Sequence, residues 1–192
     1  MQDYNSASLY SHLDLKPSMN LLDVCSAPGS KLFNCLDILK PENCYSNDIY
    51  EHRVNLIKKA ADRLGFKGIN YSCVDGLQLY KEFPFKFDRI MLDVPCSGLG
   101  VISRKPDLKY HITPNSLDEL QELQYNLLQA NSKLLKKDGI LLYSTCTLNK
   151  KENSKNIAKF VSGNDDFVVL EEDTIINEYG DCFYYAKLKK VL

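Results

Sequence analysis

Two of the seven cysteines stand where a thiol can react. Cys96 lies in Asp93-Val94-Pro95-Cys96-Ser97-Gly98 and Cys146 in Ser144-Thr145-Cys146-Thr147. Each segment follows an apolar run, and each is polar or rich in Gly and Pro. A thiolate beside a lysine or a helix N-terminus has a lowered pKa and becomes a nucleophile. Cys35, Cys44, Cys73 and Cys182 lack such a setting and read as small buried hydrophobes, the usual fate of a free thiol. Three acids, Asp48, Asp75 and Asp93, also close apolar runs, and Cys25 to Lys31 forms a Pro/Gly turn after the first of them.

Positioning these residues requires strand ends that meet. The apolar runs Leu21–Cys25, Cys44–Asp48, Ile69–Val74, Phe87–Val94 and Gly139–Thr145 read as strands. Between them come helical patterns. Leu32, Phe33, Leu36 and Leu39 share one face, stopped by Pro41. Val54, Ile57, Ala60, Ala61 and Leu64 share another, closed by Gly65. Pro114 to Lys137 predicts a long amphipathic helix with Thr113 as N-cap. Asn149 with Glu152 predicts a capping box for a last helix through Phe160. Phe167–Leu170 and Phe183–Leu188 predict a terminal hairpin. Strands alternating with helices imply an α/β fold, a mostly parallel twisted sheet with helices on both faces and a C-terminal antiparallel hairpin. Such sheets bind ligands beyond the carboxyl ends of their strands, which is where Cys25 to Lys31, Asp48, Asp75, Asp93 to Cys96 and Cys146 fall.

An acid closing the second strand holds a ribose in these folds, because a carboxylate accepts both vicinal hydroxyls. Asp48 is in that place. The first turn lacks Gly-x-Gly-x-x-Gly, which disfavours a dinucleotide with a pyrophosphate. A nucleoside cofactor without phosphate, such as S-adenosylmethionine, needs the acid but not the phosphate cradle, and Asp75 could accept from an adenine amino group. The long connection from Pro95 to Thr113 carries Arg104, Lys105, Lys109 and Tyr110. Positive charge beside an aromatic suits a phosphate backbone and a stacked base.

Composition sets the outer bounds. The 192 residues suit one domain, and 44% hydrophobic content supplies a core. With 24 basic residues against 25 acidic, neither a basic nucleic-acid sponge nor an acidic tail is in view. The cysteines are odd in number and contain no Cys-x-x-Cys pair, so a disulfide framework and a zinc knuckle are poor readings and no metal is expected. No signal peptide or membrane span is visible, which fits a reduced cytoplasmic protein.

The motifs Asp23 to Lys31, Asp93 to Ile102, Arg104-Lys105-Pro106-Asp107 and Tyr143-Ser144-Thr145-Cys146 together resemble the Sun/Fmu (RsmB-like) family of RNA cytosine-5 methyltransferases. The likeness runs from about Gln2 to Leu188. It implies a Rossmann-like class I methyltransferase using S-adenosylmethionine. Cys25, Ser26, Ala27, Pro28, Gly29, Ser30 and Lys31 would wrap the methionine end of the cofactor. Asp48 would hold the ribose, Asp75 the adenine, and Asp93 would lie between the cofactor and the target base, with Lys31 in support. Cys146 would be the nucleophile and Cys96 would assist product release.

The resemblance also implies a chain that is the catalytic domain alone over 1–192, without the family's N-terminal RNA-binding domain. Such a domain is expected to be a monomer and to bind RNA weakly by itself. Small-subunit ribosomal RNA is the expected substrate. The same chemistry on transfer RNA, or a non-catalytic cofactor-binding ribosome-assembly module, are the alternatives. Ser30 stands where the family usually has Gly, Val94 where it has Ala, and Cys182 where a Gly precedes the last aromatic pair.

Overall fold

A computed structural model describes residues 3–110 and 112–192, and the side chain of Lys109 lies outside what it describes. Five strands are parallel neighbours: β1 (Leu21–Asp23), β2 (Cys44–Asn47), β3 (Asn70–Ser72), β4 (Phe87–Asp93) and β5 (Leu135–Thr145). β6 (Phe167–Ile175) and β7 (Phe183–Lys190) pair antiparallel, and β7 joins them to β5. The sheet order is β3-β2-β1-β4-β5-β7-β6. The helices are α1 (Tyr4–Ser8), α2 (Ser30–Cys35), α3 (Glu51–Leu64), α4 (Pro114–Ser132) and α5 (Ser154–Ser162).

Successive side chains of a strand point to opposite faces, and the central strands are apolar on both. Leu22, Ile90, Leu92, Leu141 and Tyr143 pack on one face with Leu127, Leu128, Ile157 and Phe160. Leu21, Met91 and Leu142 pack on the other with Leu9, Leu13, Leu32 and Ala61. Full burial of one such side chain stabilises the fold by roughly 1.5–3 kcal/mol. This is the predicted α/β architecture, Rossmann-like, with its terminal hairpin. No helix among the described residues is long and apolar enough to cross a membrane.

Four local expectations need correction. α2 stops at Cys35, and the chain reaches Pro41 through turns in which Ile38 and Leu39 both donate to the Cys35 carbonyl. α4 ends at Ser132 rather than Lys137, because Leu135 is drawn into the sheet opposite Phe87. Ile140 then pairs with Arg89, so residues 136–139 loop out, with Asp138 at φ 61°. The Asn149–Glu152 pair does not cap α5, which begins at Ser154, because the Glu152 carboxylate is fully buried among other donors. Cys35 and Cys44 are buried as expected, but Cys73 is exposed and Cys182 only half-buried. Cys73 follows the edge strand β3, which has a neighbour on one side only.

Candidate active site

Strand order reverses between β1 and β4, since β2 and β3 continue to one side and β5 to the other. A crevice opens beyond the carboxyl ends at such a point. Two sites share it. The first is built by the turn after β1. Val24 extends the ladder by donating to Met91, and Ser26 donates to the Asn47 carbonyl. The chain then reverses at Gly29, whose φ is 96°. A Cβ there would lie 2.8 Å from the Phe33 ring and 3.0 Å from Ile57, so the turn requires glycine. Ser30 begins α2 in ordinary helical conformation, which is why a second glycine is dispensable.

This turn delivers Lys31. Its Nζ lies 2.7 Å from Asp93 Oδ2, while Asp93 Oδ1 accepts from Ser144 Oγ at 2.7 Å. Burial opposes the Lys31 charge, but the adjacent Asp93 carboxylate outweighs it and raises the pKa above the usual lysine value. Asp23, at the end of β1, is 1% exposed, and its Oδ1 has no hydrogen-bond partner. Burial pushes its carboxyl up to about 7, moderated by a hydrogen bond with Ser26 and raised further by Asp93.

Asp48 and Asp75 line a cavity of about 300 Å³ with Val24, Cys25, Tyr50 and Leu127. Asp48 is 2% exposed. Its Oδ1 accepts from the Tyr50 amide at 3.1 Å. Its Oδ2 has no hydrogen bond, although Arg53 Nε stands 3.4 Å away. Asp75 Oδ1 accepts from the Leu77 amide at 2.9 Å. A smaller recess bounded by Asp23, Ser26, Ala27, Pro28, Ser30, Lys31 and Asp93 adjoins it through Cys25. Burial holds the Cys25 thiol far above its usual pKa, so it is no nucleophile.

The second site is the thiol pair. Cys96 Sγ and Cys146 Sγ are 3.2 Å apart, and the Cys146 amide donates to Cys96 Sγ at 3.3 Å. Both are free thiols. Hydrogen bonding to Cys146 together with burial raises the Cys96 pKa. The same bond lowers that of Cys146, against its burial and the nearby Asp93 and aided by Lys31. The shared hydrogen bond thus favours ionisation at Cys146 over Cys96. Gly100 supports this rim from behind. Its amide donates to the Cys146 carbonyl and its own carbonyl accepts from Cys182. A Cβ on Gly100 would lie 2.9 Å from the Cys146 oxygen and 2.6 Å from that of Cys182.

The loop cations diverge. Lys105 is exposed. Arg104 is taken up by two carboxylates, Asp3 Oδ2 at 2.7 Å from Nη2 and Asp181 Oδ1 at 3.1 Å from Nε. Reasoning from sequence overlooked Asn47, whose side chain ties the ends of three strands through Val24, Val74 and Ser72. It also gave no role to Asp23, although the strand-end rule that selected Asp48 applies to it equally.

A profile of the family described as 16S rRNA methyltransferase RsmB/F matches residues 10–181. The chain is 40% identical over 169 residues to the probable ribosomal RNA small subunit methyltransferase B of Bacillus subtilis (strain 168), covering 87% of this chain and 38% of that protein. It is 33% identical over 201 residues to ribosomal RNA small subunit methyltransferase B of Yersinia enterocolitica, covering 99% of this chain and 46% of that one. The chain thus spans less than half the length of these relatives. The crystal structure of NSun6 from Pyrococcus horikoshii with SFG superposes with a TM-score of 0.86 at 25% identity, over all of this chain and 53% of that one. A match that covers most of the residues, including both thiol loops and the turn after β1, shows that the chain belongs to the RsmB/F 16S rRNA methyltransferase family.

Proposed function

We propose that this chain transfers a methyl group from S-adenosylmethionine to C5 of cytosine in RNA, that of the small ribosomal subunit, through a covalent bond between Cys146 and C6. The observation that carries the reading is the thiol pair. A scaffold has no use for two free thiols held 3.2 Å apart just beyond the ends of neighbouring strands. The names of the relatives support the ribosomal substrate.

The residues fit the cofactor. Two buried carboxylate oxygens, Asp48 Oδ2 and Asp23 Oδ1, lack hydrogen-bond partners. Such groups cost roughly 1–3 kcal/mol each unless something donates to them. Ribose hydroxyls at Asp48 and an ammonium near Asp23 and Asp93 would complete them, with the adenine beside Asp75. When bound, S-adenosylmethionine supplies an electrophilic methyl group.

The chain's own residues prepare the base. Cytosine C5 is a poor nucleophile until a thiolate adds at C6. Cys146 Sγ forms that bond as the C5–C6 π bond opens, and the displaced electron pair makes the ring an enamine. Negative charge develops toward N3 and O2. The Lys31 ammonium paired with Asp93 supplies the proton that offsets it, passed through the Asp93 carboxyl that Ser144 also orients. After C5 is methylated its proton leaves to water, the C5–C6 double bond re-forms, and Cys146 departs as thiolate. Cys96 assists departure by donating its S–H to the leaving sulfur. The target base must be splayed out of its stack to reach this rim. Arg104 serves as a clasp between Asp3 and Asp181, and Lys105 is the better candidate for a phosphate.

The test is methyl transfer from labelled S-adenosylmethionine to protein-free, undermethylated small-subunit ribosomal RNA, with Cys146→Ala beside it. Labelled 5-methylcytosine from the unmodified chain alone is expected. Equal product from the Cys146→Ala variant would overturn the assignment.

A further inference from the structure

The thiol pair depends on two separate loops arriving together. Cys96 belongs to the connection after β4, and Cys146 to the residues after β5. Direct bonds join the loops, Ser97 Oγ to Thr147 Oγ1 and the Gly100 amide to the Cys146 carbonyl, and residues beyond both brace them further. Glu152, on the turn before α5, is fully buried. Its Oε2 accepts from the Ser97 amide at 2.9 Å and from Gln124 Nε2 at 2.9 Å. Its Oε1 accepts from Ser97 Oγ at 2.6 Å and from Asn149 Nδ2 at 3.0 Å. Ser97 directly follows Cys96. Its hydroxyl also meets Thr147 Oγ1 at 2.8 Å, and Thr147 directly follows Cys146.

The neighbouring Asn153 brackets the second thiol. Its Oδ1 accepts from Thr145 Oγ1 at 2.7 Å and its Nδ2 donates to the Thr147 carbonyl at 2.8 Å. The residues on both sides of Cys146 are thereby held. Tyr143 anchors the turn by donating to the Glu152 carbonyl at 2.6 Å, and Gln124 ties the Cys96 loop again by donating to Pro95. A buried charge persists only when its lone pairs are satisfied, and here both oxygens are.

We propose that Glu152 and Asn153 form a positioning clamp that holds Cys96 Sγ against Cys146 Sγ, so that the nucleophile's hydrogen bond is built by residues that never touch the substrate. The proposal rests on the reading of Cys146 as nucleophile. Thiol pairs of this kind are sensitive to tenths of an ångström, because S–H···S bonds are weak and lost quickly with distance. Replacing Glu152 by Gln keeps the shape but turns one oxygen into a donor. That donor would face the Ser97 amide and Gln124 Nε2, or Ser97 Oγ and Asn149 Nδ2, so part of the network must break. Ser97→Ala is the milder probe, since it removes one hydroxyl and leaves the backbone bond.

The experiment needs no RNA. Iodoacetamide alkylation at Cys146 is followed by peptide mass spectrometry against pH in the full chain, the Glu152→Gln variant and the Ser97→Ala variant. The charged or titrating groups that face Cys146 are Cys96, Asp93 and Lys31, and all three remain in both variants. The unmodified chain should alkylate with a midpoint below that of a free thiol, which is about 8.5. The Glu152→Gln midpoint should move back toward the free-thiol value, and Ser97→Ala should move part of the way. Fluorescence titration with S-adenosylhomocysteine should change less than threefold in either variant, since the cofactor cavity is not lined by either residue. A folded Glu152→Gln protein with an unmoved midpoint overturns the clamp. If that variant does not fold, an unmoved midpoint in Ser97→Ala overturns it. A free-thiol midpoint in the unmodified chain overturns the nucleophile reading beneath it, and the clamp with it.

Discussion

The two halves of the crevice handle buried carboxylates in opposite ways. On the thiol side Glu152 has donors on both oxygens, all from the chain itself. On the side proposed for the cofactor Asp23 and Asp48 are just as deeply buried, yet each keeps an oxygen without a hydrogen bond. A saturated buried acid fixes geometry permanently, and an unsaturated one waits for a ligand to complete it. On the proposed mechanism, the two thiols are thus held in place before any substrate arrives, and the cavity at Asp23 and Asp48 carries a standing cost that a bound nucleoside would relieve.

That contrast can be broken most sharply at the thiols. Cys146→Ala should lower methyl transfer by roughly 10³-fold or more, since a covalent route is removed outright. Its affinity for the methyl donor, measured by calorimetry, should stay within about twofold, because the cavity is formed by other residues. Cys96→Ala should instead trap a covalent protein–RNA adduct, visible as a shifted band on a denaturing gel. An adduct-free Cys96→Ala protein with normal turnover would remove Cys96 from the mechanism.

The unsaturated side offers the next test. Asp48→Asn should weaken binding of the methyl donor by about 10–100-fold, the value of charged hydrogen bonds of roughly 1.5–3 kcal/mol. It should leave the melting temperature of the ligand-free protein unchanged or slightly raised. Glu152→Gln should do the reverse, lowering the melting temperature by about 6–12 °C for a cost near 3 kcal/mol while sparing donor binding. If both substitutions affected the same property, the division between a fixed half and a waiting half would fail.

Asp23 gives a pH-dependent version. Its carboxyl is raised from the ordinary 3.8 to about 7 by burial, with the Ser26 hydrogen bond opposing and Asp93 reinforcing. The folded protein therefore binds this proton more tightly than the unfolded chain. The stability it contributes is complete below pH 3.8 and is lost as pH climbs to about 7. Asp23→Asn removes the penalty, so its unfolding free energy relative to the parent should rise between pH 5 and 8 by on the order of 3 kcal/mol, read as a growing gap in melting temperature. Parallel melting curves across that range would show that Asp23 stays ionised at no cost.

The smallest effects belong to the loop cations. Lys105→Met should reduce the slope of log affinity against log salt for RNA by about one unit, the loss of one phosphate contact. Arg104→Met should leave the slope alone and cost at most about 1 kcal/mol of stability, the scale of a half-exposed ion pair.

What could be read from the chain directly was whatever a local pattern encodes. Alternating apolar runs announced the sheet, and Gly65 and Thr113 ended or began their helices as their types demand. Asp48, Asp93, Cys96 and Cys146 were legible because strand ends are where an α/β sheet gathers its chemistry. Tertiary packing decided the rest, because it turns on partners far away in the chain. Glu152 carried the pattern of a helix cap, three residues after Asn149. It serves the interior instead, since the donors of Ser97 lie 55 positions away and a buried amide must find an acceptor. Arg104 had the look of a phosphate ligand, and Asp3 and Asp181, 101 and 77 positions distant, claim it. That the two thiols meet is likewise written in neither motif. Their 3.2 Å approach exists only because β4 and β5 lie side by side.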